Sequence, residues 1–175
     1  QNLSNHIGKI IRIRPDGSVP ADNPFVNNPQ AKPEIWSYGH RSVQGATIHP
    51  QTGALWIHEH GPKGGDEINI PQAGKNYGWP KANYGVHYNG APIKHEHAEQ
   101  GFEEPIHCWV PSIAPSGMVF YTGKQFPGWR GSLFVGALAG RQVVRLTADD
   151  KKILSEERLL TNTLRFRDVE QGPDG

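Results

Sequence analysis

Hydrophobic residues along the chain come in short runs bounded by polar residues, glycine or proline. Four of the clearest runs are IIRI (10–13), LWI (55–57), LFVGAL (133–138) and VVRL (143–146). Runs of this length and composition are typical of β-strands, whereas an amphipathic helix needs a longer run with a period near 3.6 residues. The pattern therefore predicts an all-β protein.

Turn residues divide the first half of the chain into predicted strands and one long loop. An alternating strand over 8–18 ends in a Pro-Asp-Gly turn, and a hairpin covers 46–59 with HPQTG as its connection. The stretch DEINI (66–70) alternates again and ends at a proline. The residues 75–94, rich in aromatic residues, glycine and proline, show little periodicity and predict a loop.

The second half of the chain predicts a further group of four strands. They cover 116–123, 132–140, 140–150 and 164–175. The best helix candidate is KKILSEERLL (151–160), which is too short to be a strong amphipathic helix.

An internal repeat connects the two halves. The segments GKIIRIRPDG (8–17) and GRQVVRLTAD (140–149) share a glycine, a basic residue, a β-branched pair, an arginine and an acidic turn, and GDEINI (65–70) occupies a similar strand position. Four strands per ~40–50 residues, repeated with loop insertions, are typical of propeller blades. A β-sandwich also has short strands and regular turns and is the alternative. The repeat favours the propeller.

Composition and charge exclude several classes of protein. Of the 175 residues 35% are hydrophobic, and 21 glycines and 15 prolines make the chain too rich in turns for a helical bundle. The 18 basic and 17 acidic side chains are spread along the chain without a basic stripe, so nothing indicates a nucleic-acid partner. No apolar run approaches the ~18 residues that a membrane span requires.

One cysteine and the end of the chain add two expectations. Cys108 rules out an internal disulfide, and without a C-x-x-C partner it is predicted to be a buried, inert thiol rather than a nucleophile. The closing Pro-Asp-Gly turn should be followed by another strand. We therefore expect residues 1–175 to form part of a propeller domain that is incomplete at both ends.

Two H-x-H pairs, His58/His60 and His95/His97, are candidate metal ligands. Positions i and i+2 of a strand face the same side, so each pair can present two imidazoles to one metal. Two ligands are too few for a site, and spacing identifies no third, so ordinary histidines on a polar strand face are the alternative. His95 and His97 are expected in a charged surface loop.

The Gly61-Pro62 pair that follows His60 suits a hard cation. Proline has no N–H and glycine lets the backbone approach a ligand closely, so the carbonyl oxygens of such a turn are free to bind Ca²⁺. A plain turn between two strands is the alternative.

Arginines form the third candidate site. Arg41 lies with Ser42 between two glycines in GHRSVQG, and Arg165 and Arg167 share one face of a predicted strand with Phe166 on the other. Guanidinium groups match carboxylates bidentately, so arginines that converge at the mouth of a propeller suit a ligand with several carboxylates. Arginines paired with nearby acidic residues on a solvated rim are the alternative.

Five blocks of the sequence, taken in order, resemble the soluble glucose/sorbosone dehydrogenase family. They are GHRSVQG, EHGPKGGDEINIPQAGKNYGWP, WVPSIAPSGMVFY, GSLFVGALAGRQVVRL and RFRDVEQGPDG. Within the family the likeness is strongest to the aldose sugar dehydrogenases that use pyrroloquinoline quinone (PQQ), and it covers essentially the whole chain.

The resemblance implies a fold and an activity. The family fold is a six-bladed β-propeller that binds the tricarboxylate PQQ on its central face through arginines and holds a Ca²⁺ against it. The implied reaction oxidises the anomeric C1–OH of an aldose sugar to a lactone. A histidine base removes the hydroxyl proton while hydride moves to C5 of the quinone, and the electrons then leave to an external acceptor. A periplasmic or secreted protein is also implied.

The family motifs assign roles to residues near the Gly-Pro turn. Arg41 matches the arginine of the G-x-R-N-x-Q-G motif and is expected to reach PQQ, while Ser42 stands where asparagine is usual. His60 matches the cofactor-contacting position before Gly-Pro. Gly61 and Pro62 match the backbone carbonyl donors to the active-site Ca²⁺.

Further roles follow from the later motifs. Arg165 and Arg167 match the arginine pair of the R-x-R-D motif that binds the PQQ carboxylates. Trp109 matches an aromatic residue near the sugar pocket. Ala139 stands where glucose-oxidising relatives can carry a lysine to PQQ, so that contact is missing.

The catalytic base is the main departure from the family pattern. The family's catalytic histidine lies in a blade upstream of QNLSNHIGK, and His6 belongs to a strand-start motif instead. The resemblance therefore places the base outside these residues. A non-catalytic propeller that serves as a binding or interaction module is the alternative function. A metal-dependent hydrolase built on the H-x-H pairs would need at least one more ligand.

Overall fold

The computed structural model describes residues 1–95 and 97–175. Those residues form ten β-strands and two short 3₁₀ turns, Ala98–Gln100 and Pro127–Trp129. In this part of the chain no helix has the length and apolar character needed to cross a membrane. In chain order the strands are β1 (Lys9–Ile11), β2 (Ile35–Tyr38), β3 (Val43–Ile48), β4 (Leu55–Glu59), β5 (Asp66–Asn69), β6 (His107–Trp109), β7 (Pro115–Phe120), β8 (Leu133–Ala137), β9 (Gln142–Ala148) and β10 (Ile153–Leu159).

The strands form two four-stranded antiparallel sheets and one strand pair. Their orders are β3-β4-β5-β6, β10-β9-β8-β7 and β1-β2. Each four-stranded sheet is a simple meander, whereas an immunoglobulin-type sandwich would need Greek-key connections. The first strands of the two sheets, β3 and β7, pack against each other. The predicted fold class, an all-β part of a β-propeller, is confirmed, with two complete blades and two strands of a third among the described residues.

The internal repeat marks an equivalent place in each sheet. The GDEINI and GRQVVRLTAD segments contain β5 and β9, which are the third strands of their meanders. The third copy of the pattern contains β1, which pairs with the strand that follows it, as β5 and β9 do. The sequence pattern therefore identifies the third strand of a blade.

The segment 151–160, the best helix candidate although too short for a strong amphipathic helix, is the outer strand β10. It pairs with β9 from Ile153↔Ala148 to Leu159↔Val143. Its partly buried residues, Ile153, Glu156 and Leu159, are three apart, which imitates a helical spacing. A register shift between Ile153 and Ser155 interrupts the usual alternation, and pairing with β9 decides the conformation.

The predicted strand over 164–175 is irregular and packs against β7. The hydroxyl of Ser116 donates to the carbonyl of Phe166 (2.6 Å), and the backbone N–H of Gly117 donates to the carbonyl of Arg167 (3.1 Å). These bonds do not continue as a ladder, so the segment is not a strand. They still place Arg165 and Arg167 beside the start of β7.

The hydrophobic core lies between the two four-stranded sheets. Trp56 of β4 is fully buried and meets Phe120 of β7 edge to face, with 5.3 Å between ring centroids. Burial of large apolar side chains stabilises a fold by ~1.5–3 kcal/mol each, so this layer holds the sheets in one arrangement. Aliphatic residues from both sheets complete the layer, among them Ile68, Leu133, Val135, Val144 and Leu146.

Gly117→Ala tests the contact between β7 and the segment 164–175. A Cβ at this position would lie 1.6 Å from Oδ1 and 2.8 Å from Cα of Asp168, so the segment must move. We expect a loss of ~1–3 kcal/mol in the free energy of unfolding, measured by urea denaturation. Gly128→Ala is the matched control, because a Cβ there meets nothing within 4 Å. Equal stability of the two variants would contradict the packing described here.

Candidate functional site

The predicted site residues gather at one edge of the two four-stranded sheets. β4 ends at this edge, while β3, β5 and β7 begin there, because neighbouring strands are antiparallel. We call it the upper edge, defined by the segments 39–43, 59–66 and 110–116. It contains Arg41, Ser42, His60, Gly61 and Pro62 of the predicted site.

His58 and His60 bind carbonyl groups of the neighbouring blade. Nε2 of His60 lies 2.7 Å from the carbonyl oxygen of Pro115, and Nε2 of His58 contacts the carbonyl oxygen of Ser116 in the same way. The prediction that the two rings share one face is therefore correct, but the rings bind the carbonyl groups of the first two residues of β7. Among the described residues no group of three or more His, Cys, Asp or Glu side chains is arranged to hold a metal ion.

Glu59, between the two histidines, points to the opposite face and fixes the loop that carries Arg41. Its Oε2 accepts the backbone N–H of Arg41 (2.5 Å), and its Oε1 accepts Nδ1–H of His40 (3.0 Å) and an amide N–H of Asn69 (3.1 Å). Hydrogen bonds to a carboxylate are stronger than those between neutral groups. The buried Glu59 therefore ties the 39–42 loop to the end of β4.

The Arg41 guanidinium is held between two aromatic rings at the upper edge. It lies over the rings of Trp79 (5.2 Å to the centroid) and Tyr88 (6.0 Å). Its Nη1 donates to the carbonyl of His60 (2.9 Å) and its Nη2 to the hydroxyl of Tyr88 (3.0 Å). The buried Nε has no hydrogen-bond partner in the described structure. The guanidinium is therefore fixed in place and keeps one N–H donor without a partner among the described residues.

Ser42 contributes to the same edge through its backbone. Its carbonyl accepts the N–H of His60 (3.0 Å), and its hydroxyl accepts an N–H from the amide of Gln44 (2.9 Å). Ser42 therefore links the residue before β3 to the residue after β4, next to Arg41.

The Gly61-Pro62 turn is buried, and its shape depends on Asp66. The backbone N–H of Gly61 donates to Oδ1 of Asp66 (3.0 Å). A Cβ on Gly61 would lie 2.0 Å from the carbonyl oxygen of Gly64, so only glycine fits. The carbonyl oxygens of Gly61 and Pro62 accept no hydrogen bond from any described residue. Buried carbonyls are normally paired, so these two are suited to a cation.

Arg165 and Arg167 are exposed on the segment that packs against β7. Phe166 between them packs into a small cluster with Tyr121, Phe134 and Val143. The first residues of β7 therefore hold His60 through one carbonyl and the arginine segment through Ser116 and Gly117. The structure brings the two parts of the predicted site to the same strand.

Trp109 lies apart from this group. It is 3% exposed and belongs to the core between the sheets. Its indole N–H donates to Oε2 of Glu156 on β10 (3.0 Å), and its ring meets that of His107 edge to face. A side chain enclosed in this way has little surface for a sugar.

A buried polar cluster lies behind the upper edge. The amide of Asn69 bridges Oε1 of Glu59 and Oε2 of Glu67 (3.1 and 3.3 Å), and Asn83 donates to Oε1 of Glu67 (2.8 Å). Burial, with the charge of Glu59 as the next cause, raises the pKa of Glu67 well above its usual range. Glu67 is therefore suited to carry a proton. Glu59, in contrast, accepts hydrogen bonds from three donors.

The expected surface location of the second histidine pair is wrong for His97. His95 is exposed, but His97 is fully buried, stacked on Tyr84 with 5.2 Å between ring centroids. Its Nδ1 donates to the carbonyl of His95 (2.8 Å). The lone cysteine, Cys108, is half-buried, and burial raises the pKa of its thiol, which disfavours the reactive thiolate.

Four residues at the site were not singled out from the sequence. Glu59 and Asp66 carried one signal, since acidic residues inside apolar strands are buried only when they are paired. Trp79 and Tyr88 lie in the aperiodic loop 75–94, where no spacing relates them to Arg41.

Comparison with known proteins identifies a family and several relatives of the chain. Residues 1–175 match the family described as Glucose / Sorbosone dehydrogenase. Aldose sugar dehydrogenase YliI of Escherichia coli (strain K12) is 47% identical over 178 residues, which cover 100% of this chain and 48% of that protein. The chain spans about half the length of the curated relatives it matches.

Solved structures give the same result for the fold. A crystal structure of a glucose dehydrogenase aligns with a TM-score of 0.96 at 51% identity, over 100% of this chain and 51% of that one. The PQQ-bound form of aldose sugar dehydrogenase from Streptomyces coelicolor aligns with a TM-score of 0.71 at 28% identity, over 96% of this chain and 43% of that one.

His58→Gln tests the role of the buried ring between the blades. Burial lowers the pKa of His58 from 6.5 to about 4 in the folded protein. Between these values the unfolded chain binds a proton that the folded chain does not, so stability is fully present above pH 6.5 and is lost as the pH falls towards 4. The loss corresponds to ~3 kcal/mol.

We therefore expect His58→Gln to reduce the loss of stability between pH 7 and pH 4.5, measured by urea denaturation at each pH. His87→Gln, at an exposed histidine, is the matched control and should keep the wild-type dependence. An unchanged acid dependence in His58→Gln would show that another group controls it.

Proposed function

Because the chain belongs to the glucose/sorbosone dehydrogenase family, we propose that it forms part of a PQQ-dependent oxidoreductase that oxidises the anomeric hydroxyl of an aldose sugar to a lactone. The observation that carries the proposal is the convergence of Arg41, His60 and the Gly61-Pro62 turn at the upper edge. The electrons are expected to pass to an external acceptor, as the family resemblance implies.

The Gly61-Pro62 turn supports a Ca²⁺ site. Ca²⁺ takes hard oxygen ligands, including backbone carbonyls, and the two carbonyl oxygens of this buried turn accept no hydrogen bond from the described residues. Proline at the second position has no backbone N–H, so this residue offers a carbonyl acceptor without a donor. The donor set therefore fits a hard cation and does not fit zinc, which prefers nitrogen and sulfur ligands.

The arginines support a site for a ligand with several carboxylates. Arg41 is fixed in place by Trp79, Tyr88 and the carbonyl of His60, and its buried Nε has no partner among the described residues. Arg165 and Arg167 are exposed on the neighbouring segment. When bound, PQQ supplies the two-electron acceptor for the sugar, and these side chains would hold its carboxylates.

The remaining residues orient the site rather than react. His60 donates its Nε2–H to the carbonyl of Pro115, which fixes the plane of the ring and leaves Nδ1 as its acceptor. We place the catalytic base outside residues 1–175, in keeping with the resemblance. Trp109, buried and bonded to Glu156, is not proposed as a contact to the sugar.

Reconstitution of the full-length protein with PQQ and Ca²⁺ tests the proposal. We expect an artificial electron-accepting dye to be reduced only when an aldose sugar is added. PQQ binding without sugar-dependent reduction would favour the non-catalytic binding module. Failure to bind PQQ at all would reject the proposed function.

Arg165→Ala combined with Arg167→Ala tests the carboxylate-binding assignment. Each lost charge-assisted contact costs ~1.5–3 kcal/mol, so each should weaken PQQ binding by roughly 10- to 150-fold in a fluorescence titration. Arg130→Ala is the matched control, because Arg130 is exposed in the turn at the far end of β7. Wild-type affinity in the double variant would contradict the assignment.

A further inference from the structure

We propose that Asp66 is the positioning residue of the Ca²⁺ turn: its carboxylate holds the Gly61-Pro62 carbonyls in place and joins them to the loop that leads into β7. The inference rests on the proposed function, because it concerns the metal site named there. Asp66 is not proposed as a ligand of the ion and acts through the backbone of the turn.

The hydrogen bonds of Asp66 divide between two loops. Oδ1 accepts the backbone N–H of Gly61 (3.0 Å). Oδ2 accepts the hydroxyl of Ser112 (2.7 Å) and the backbone N–H groups of Ile113 (2.9 Å) and Ala114 (3.0 Å). The four donors engage both carboxylate oxygens, one from the turn and three from the 112–114 loop. Fully buried and bonded at both oxygens, Asp66 orients the backbone of both loops.

The bond to Gly61 is the one that lies nearest the proposed metal donors. On the two sides of the turn, the N–H of His60 donates to the carbonyl of Ser42 and the N–H of Gly65 to that of Trp109. Pro62 has no N–H to contribute. The peptide between His60 and Gly61 is therefore held by Asp66 at its N–H and by Arg41 at its carbonyl oxygen, and Asp66 holds the end that precedes the two proposed metal donors.

Asp66→Asn separates the two functions of the carboxylate. The amide oxygen of asparagine can serve the three donors from 112–114, which leaves its NH₂ group facing the N–H of Gly61. Two donors cannot bond each other, so the turn is released while the loop stays held. The variant keeps the size of the side chain and therefore the packing around it.

The test is Ca²⁺ affinity of the full-length protein, freed of metal by a chelator and titrated calorimetrically with Ca²⁺ alone. Loss of a residue that orients metal ligands typically weakens metal binding 10- to 100-fold, and we expect a reduction of about that size in Asp66→Asn. The increase in melting temperature that Ca²⁺ produces should shrink accordingly. A merely structural role would lower the melting temperature equally with and without Ca²⁺.

Ser112→Ala is the matched control, since it removes one donor to the same carboxylate from the opposite loop. It should keep wild-type Ca²⁺ affinity. Wild-type affinity in Asp66→Asn, or an equal reduction in Ser112→Ala, would overturn the inference while leaving the proposed function standing. Absence of Ca²⁺ binding to the wild-type protein would instead reject the metal site itself.

If Asp66→Asn does not fold, Asp66→Glu provides the comparison, because it keeps the charge and displaces the carboxylate by one methylene group. Weakened Ca²⁺ binding by a folded Asp66→Glu would support the inference, and wild-type binding would overturn it.

Discussion

The upper edge depends on two hydrogen bonds that run from the imidazoles of β4 to the first carbonyls of β7. His58 and His60 bind the carbonyl groups of Ser116 and Pro115. The hydroxyl of Ser116 also binds the carbonyl of Phe166 in the arginine segment. The distance between the Gly-Pro turn and the arginines is therefore set by one short stretch of strand. Arg41 joins this frame by donating to the carbonyl of His60.

At the strand ends, buried carboxylates accept hydrogen bonds from backbone N–H groups, which inside the sheets bind the carbonyl groups of neighbouring strands. Glu59, Asp66 and Glu67 lie within eight positions of one another and all are buried. Burying a charge is costly unless it is paired, and the partners of Glu59 and Asp66 include backbone N–H groups that the sheet leaves without a neighbour. The buried acids at this edge thus orient the backbone, and the arginines are the side chains that we propose to bind a ligand.

How far the sequence predicted this structure varied with the kind of signal each element carries. β3, β4 and β7 to β9 contain β-branched and aromatic runs with turns at both ends, and they were predicted at nearly their true positions. β6 is only three residues long, and β10 presents its buried residues three apart, so neither has a readable period. The segment 164–175 has strand composition, but no partner among the described strands gives it a ladder.

The glycines of GHRSVQG show why the site could be located from the sequence but not built from it. Gly39 has a φ of +79°, a left-handed conformation that glycine adopts without steric cost. Gly45 has no such φ and is needed for space, since a Cβ there would lie 2.3 Å from Nε2 of His58 and 2.7 Å from the carbonyl oxygen of Ser116. One glycine shapes the Arg41 loop, and the other lets the His58 ring reach across to the next blade. The spacing of the two glycines in the sequence is visible, but their different partners, far away in the chain, follow only from how the blades pack.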